Sequence, residues 1–244
     1  MKREYGFVLI VYIAMQLSSL VGVPLLAFLI AGNGESLESA RINAMNYWIL
    51  ISFISALLII LFILRKEMRE SLNSMQGKDV REILKWGIGG IFLAYFAQYV
   101  AIIIEQMLGI KPGSENTQGI MEMIFGFPAV MLVTSIVGPI LEELVFRKII
   151  FGSLHHRFNF FISALLSSII FAAAHMEFEH ILLYSAMGFT FAYLYVKTKR
   201  IIVPIFAHVA MNTMVVIIQI VFKDDIEKIM REAEKMQNFI GGFL

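Results

Sequence analysis

The sequence predicts an all-α, polytopic membrane helix bundle of about seven transmembrane helices, and three observations predict it. Of 244 residues, 59% are hydrophobic and only 16% are charged, giving a mean hydropathy of +0.77. Apolar stretches of spanning length follow one another so closely that no soluble domain fits between them. Those stretches are apolar on every face, as lipid requires, and lack the polar wrapping that a water-soluble core needs.

A span needs roughly 20 apolar residues to cross about 30 Å of hydrocarbon. That ruler places candidates at 6–31, 43–64, 83–108, 119–154, 159–175, 180–196 and 201–222. The first follows Lys2 and Arg3, but its apolar run is too long for a signal peptide and has no Ala-x-Ala site, so it stays as a helix with a kink expected at Pro24. The fourth is over-long and carries Pro128, Gly138 and Pro139. It is expected to break into a short first piece and a main helix that starts near Pro139 and carries Glu142. A turn near His155, Arg157 and Asn159 follows, with Asn159 placed to cap the fifth span. Beyond Phe222, Ile226, Ile229, Met230, Ala233 and Met236 recur at helical spacing among charged residues, which predicts an interfacial amphipathic helix. The chain thus reads as N-terminal helices over 1–117, a core over 118–222 and a tail over 223–244, all within one membrane domain.

Lys2, Arg3, the basic residues from Arg65 to Lys85, Arg157, and Lys197 to Arg200 fall on one side of a seven-span layout, against Arg41, Lys111 and the tail on the other. The positive-inside rule then puts the N-terminus in the cytoplasm. The absence of cysteine excludes disulfides, thiolate catalysis and cysteine-bound metal clusters. A net charge of +1 with no arginine-rich or glycine-rich motif argues against nucleic acid as a partner.

An ionisable side chain inside a span costs at least ~2.5–3.5 kcal/mol, so each one demands a reason. Three places do: Glu142-Glu143-Leu144-Val145-Phe146-Arg147, Phe171-Ala172-Ala173-Ala174-His175, and His208-Val209-Ala210-Met211-Asn212. Residues four apart share a helix face, whereas neighbours diverge by about 100°. Glu143 therefore pairs with Arg147, and Glu142 points elsewhere. Ala172, Ala173 and Ala174 let the fifth helix approach its neighbours closely, which brings His175 toward them. Counted from the turn near residue 157, Glu142 and His175 lie at similar depth, while His208 lies nearer that surface. A carboxylate in a water-filled pocket can act as a general base, an adjacent imidazole can help hold or deprotonate the same water, and the N–H groups of His208 and Asn212 suit a developing oxyanion.

The run Glu142-Glu143-x-x-x-Arg147, then Phe171-x-x-x-His175, then His208-x-x-x-Asn212, resembles the three motifs of the CAAX protease and bacteriocin-processing (Abi-type) family of glutamic intramembrane proteases. The resemblance implies that Glu142 and His175 activate water, that His208 and Asn212 form the oxyanion hole, and that Glu143 and Arg147 support the first motif structurally. It also implies a peptide or lipidated protein substrate, a bilayer setting and no cofactor. The family includes enzymes that trim prenylated CAAX proteins and bacterial relatives linked to peptide maturation or bacteriocin immunity. This short chain looks more like the bacterial or archaeal relatives.

Other readings stand beside this one. Glu143 and Arg147 suit a packing ion pair, His175 a helix-end cap, and His208 with Asn212 polar glue between helices. His155 and His156 read as solvated turn residues, and Glu105 and Glu122 as interfacial. Zinc held by Glu142, His175 and His208 is the mechanistic rival, although no His-Glu-x-x-His is present. A non-catalytic scaffold or immunity protein of the same fold, and a transporter, are the functional alternatives.

Overall fold

The computed structural model describes residues 2–74, 77–111, 113–223, 225 and 228, so the expected amphipathic tail lies almost wholly outside the described residues. Among them the secondary structure is helical, with no strand. The helices are α1 (Arg3–Ala31), α2 (Leu37–Asn73), α3 (Gly77–Met107), α4 (Glu115–Gly126), α5 (130–155), α6 (Phe160–Ala174), α7 (Ile181–Thr198) and α8 (Ile202–Val221). A 3₁₀ turn, Phe178–His180, joins α6 to α7. Caps mark several starts: Ser36 accepts from the Ser39 amide, Ser114 from Thr117 and Asn159 from Ile162.

Each expected span coincides with a helix, with two differences. Four helices, α1, α2, α3 and α8, are long and apolar enough to cross a membrane on their own account. Of the others, α5 is packed within the bundle, whereas α6 is short and turns Phe161, Leu165 and Ile169 outward. The second difference concerns the fourth span, which breaks at Phe127-Pro128-Ala129 instead of near Pro139, leaving α4 as a separate piece. Pro139 does not end α5 because the backbone changes register ahead of it. Residues Val133–Val137 form π turns, and the Gly138 N–H reaches the Val133 carbonyl five residues back. Pro139 has no N–H to give to the next carbonyl, Thr134, so the helix passes through with one acceptor left over.

α5 is the axis of the bundle and packs against α1, α2, α4, α6, α7 and α8. Its stretch Glu143–Phe151, also π-helical, is buried almost all round. One cluster joins Val8, Tyr12 and Met15 of α1 and Ile60 of α2 to Leu141 and Val145 of α5, and a second joins Ala94 of α3 to Phe191 of α7 and Ala207 of α8. α1 to α3 turn large apolar side chains such as Leu20, Phe28, Phe62 and Phe92 outward, where lipid would meet them.

α6 and α7 approach so closely that Gly188 admits no side chain. A Cβ there would lie 2.8 Å from Ser168 Oγ and 3.1 Å from its Cα, and the backbone cannot give way. Gly188→Ala is therefore expected to destabilise the protein by about 1–3 kcal/mol, the range for overpacking a tight contact. Thermal unfolding in detergent checks this, and an unchanged midpoint refutes it.

Candidate active site

Glu143 and Arg147 sit one turn apart on α5 with 0% and 1% of their side chains exposed, and Glu143 Oε2 lies 3.3 Å from Arg147 Nε. The contact is an ion pair and not a hydrogen bond, and none of the three guanidinium nitrogens finds a hydrogen-bond acceptor among the described residues. The group lies instead over the ring faces of Phe171, 4.1 Å away, and Phe191, at 5.3 Å. The second carboxylate oxygen of Glu143 accepts from His208 Nδ1 on α8 at 2.9 Å. The His208 ring stacks on Phe191 with centroids 4.7 Å apart. A carboxylate that faces an arginine can only accept, so His208 carries its proton on Nδ1 and turns Nε2 the other way. Nε2 lies 3.7 Å from Glu142 Oε2.

Glu142 keeps 21% of its side chain exposed, into a cavity of about 400 Å³ inside the bundle. His175, His208 and Asn212 line the same cavity, so the four polar residues singled out for chemistry converge from α5, the end of α6, and α8. The depth mismatch expected for His208 does not keep it from Glu142, whose Oε2 lies 3.7 Å from its Nε2. π turns climb less per residue than α turns, which brings Glu142 and Glu143 closer to the turn than a count at α-helical rise predicts.

His175 occupies the C-cap of α6, and its Nδ1 lies 2.9 Å from the Phe171 carbonyl oxygen. A carbonyl only accepts, so Nδ1 carries the hydrogen and Nε2 of the neutral ring keeps a lone pair. Capping the helix and presenting a basic nitrogen are thus two ends of one ring. The next residue, Met176, turns the chain in the left-handed region with φ 59°, a conformation that costs a non-glycine residue about 1 kcal/mol or more. Asn212 Nδ2 donates at 3.2 Å to the Thr134 carbonyl, the acceptor orphaned by Pro139. One of its two N–H groups is therefore occupied, and the other has no acceptor among the described residues.

Two residues of the site were not among the sequence candidates. Tyr184 of α7 stacks on His175 with centroids 4.1 Å apart, and its hydroxyl donates to Glu177 at 2.6 Å. Glu177 also accepts from the Asn116 amide at 2.8 Å and from the Ser114 hydroxyl, and so closes the N-terminus of α4. Burial pushes the Glu177 carboxyl up, but the bonds from Asn116, Tyr184 and Ser114 outweigh it and hold the group below the ordinary glutamate value. The legible signal was a tyrosine hydroxyl in an apolar helix, which needs a partner. Glu105, read as interfacial, is instead buried. It pairs with His180 Nδ1 at 2.9 Å and accepts from the Leu183 amide at the start of α7. His155 and His156 are exposed, as expected, the first as the last residue of α5 and the second as its C-cap. Among the described residues no three His, Asp or Glu side chains gather as a metal-ligand set, so the zinc reading of Glu142, His175 and His208 finds no such grouping.

Comparison with known proteins matches the same part of the chain. The family model described as type II CAAX prenyl endopeptidase, Rce1-like, matches residues 124–214, the stretch that holds all three polar motifs. The chain is 45% identical to the Bacillus subtilis (strain 168) protein named membrane peptidase YdiL over 99% of both chains. It is 34% identical to the membrane-embedded CAAX protease MroQ of Staphylococcus aureus (strain USA300), over 95% of this chain and 93% of that one. A more distant relative, the UPF0177 protein YxdF of Lactococcus lactis, is 26% identical over 64% of this chain and 87% of its own. No solved structure matches. The chain belongs to the Rce1-like CAAX prenyl endopeptidase family of membrane peptidases.

Proposed function

We propose that the chain is a glutamic-type intramembrane endopeptidase that hydrolyses membrane-associated or lipid-anchored peptides without a metal. The observation that carries this reading is the convergence of Glu142, His175, His208 and Asn212 on one cavity within an apolar bundle. Glu142 is the base: its carboxylate takes a proton from a water as the oxygen attacks the substrate carbonyl carbon. His175 holds that water through its Nε2 lone pair. The negative charge that develops on the carbonyl oxygen meets the second N–H of Asn212 and, once a proton reaches it from nearby Glu142, Nε2–H of His208. That same proton then returns from His208 through Glu142 to the departing amine as the C–N bond breaks and the carbonyl re-forms. Glu143 and Arg147 do not touch substrate in this scheme; they orient His208 and fix α5.

Replacing the base or its partner is expected to leave the fold and remove the activity. Glu142→Gln and His175→Ala should each lower cleavage by about 10²–10⁴-fold, the usual contribution of a positioned proton-transfer group. The check is digestion of a peptide library in liposomes by purified protein, with circular dichroism to confirm folding. Cleavage at wild-type levels in either variant overturns the assignment. The same assay should survive EDTA, and loss that zinc restores overturns the metal-free part.

Arg147→Ala should destabilise the protein by about 3–5 kcal/mol, because it leaves Glu143 buried without its cation. The double change Glu143→Leu with Arg147→Leu should recover part of that loss in thermal unfolding. A single variant as stable as wild type refutes the structural role. The orientation we infer, with the N-terminus in the cytoplasm, rests on the lysine and arginine distribution. It predicts that alkaline phosphatase fused after Phe222 is active in bacterial cells and that a fusion after Arg200 is not. The reverse pattern inverts the topology.

A further inference from the structure

The reactive cavity abuts a larger one, of about 630 Å³, that its chemistry leaves unexplained. The two share Gln98, Ser114, Thr117, Met121, Leu183 and Tyr184 in their walls, so the partition between them is the α4 N-terminus and the residue stacked on His175. Four glutamines, Gln98, Gln106, Gln118 and Gln219, line the larger space, and none of their amides bonds to another described residue. Gln98 and Gln219 lie within α3 and α8, two of the helices apolar enough to span, where a polar side chain is costly. Glu105, the most buried carboxylate in that wall, is already engaged by His180 and the Leu183 amide. What remains, apart from the exposed Lys111, Glu122 and Lys223, is a set of neutral amides around a space adjoining the catalytic groups.

An unfolded peptide brought into a bilayer has its own difficulty. Each backbone N–H and C=O that leaves water without a partner costs several kcal/mol, and a chain extended for hydrolysis cannot satisfy these groups internally. A glutamine amide offers both an acceptor and donors, so it can serve a peptide N–H and a peptide C=O without discriminating between side chains. We propose that this annex is a binding site for the extended polypeptide segment that flanks the scissile bond, with the glutamine amides hydrogen-bonding its backbone. The proposal rests on the endopeptidase reading for the position of the cleaved bond. The annex then selects for peptide length and extended conformation more than for sequence.

The test has a binding arm and a kinetic arm. In the binding arm, benzoylphenylalanine replaces Phe125, which lines the annex, or Phe92, which faces outward, in a Glu142→Gln background that holds substrate uncut. A long membrane-soluble peptide should crosslink at position 125 and not at 92, and equal or absent crosslinking at 125 overturns the annex whether or not hydrolysis occurs. In the kinetic arm, a short and a long quenched fluorogenic peptide carry one scissile sequence, read by mass spectrometry from a wild-type digest. Gln98→Leu with Gln219→Leu should cut the kcat/KM advantage of the long peptide over the short one about tenfold, the effect of losing buried hydrogen bonds. Leucine suits a spanning helix, so insertion is retained. An unchanged ratio, or no length advantage in the wild type, sinks the annex and leaves the endopeptidase reading intact; crosslinking at 125 without any cleavage does the converse.

Discussion

A carboxylate with no exposed surface and a guanidinium almost equally buried lie one helical turn apart at the centre of a bundle made for lipid. Removing two ions from water costs several kcal/mol each, and the single 3.3 Å contact between Glu143 and Arg147 does not repay that by itself. The remainder comes from other helices: His208 of α8 donates to the carboxylate, and Phe171 of α6 and Phe191 of α7 offer ring faces to the guanidinium. Satisfying one ion pair therefore fixes four helices relative to one another. It also disposes of Glu142, which is rotated about 100° around α5 from its neighbour and so faces the cavity. The reactive carboxylate is placed by the needs of the inert one.

Backbone register does a second part of the placing. In an ordinary α-helix Pro139 would leave a carbonyl without a partner and invite a kink. Here the π turns over Val133–Val137 move the unpaired carbonyl to Thr134, and Asn212 reaches across from α8 to donate to it. The proline and the asparagine are thus one device, since the residue that cannot donate creates the acceptor that holds the third motif in place. The π stretch Glu143–Phe151 continues the same widening and presents the Phe146 carbonyl to the Ser167 hydroxyl of α6 at 2.8 Å. Such turns concentrate where side chains must be aimed, and these two bracket Glu142.

Most of this was legible in sequence as type and little of it as geometry. The spans, the Asn159 cap and the Glu143–Arg147 pairing follow from apolar run length and from four-residue spacing, which are local properties. So does the list of polar residues, because in an apolar helix each one stands out. The break at Pro128 in place of Pro139 was not legible, because the two prolines differ only in the backbone register around them, which depends on packing partners from α2 and α8. Tyr184 and Glu177 were missed for a related reason. The tyrosine hydroxyl in an apolar helix signalled a need for a partner, but which partner depends on the turn through Met176, which folds α7 back against the end of α6.

A division of labour between helices explains why so polar a centre can exist in this chain. α1, α2, α3 and α8 meet the demands of lipid on their own, while α5 and α7 carry residues that lipid disfavours and α6 is short at 15 residues. α5 is stable in a bilayer as the occupant of a sheath built by its neighbours, to which the apolar cluster shared by α1, α2 and α5 belongs, while α6 turns Phe161, Leu165 and Ile169 outward. The polar interior and the apolar exterior then cannot evolve or fail separately. A substitution that loosens α1 or α2 from α5 exposes Glu143 and Arg147 to hydrocarbon, so damage far from the cavity is felt first as loss of the ion pair and only afterwards as loss of chemistry.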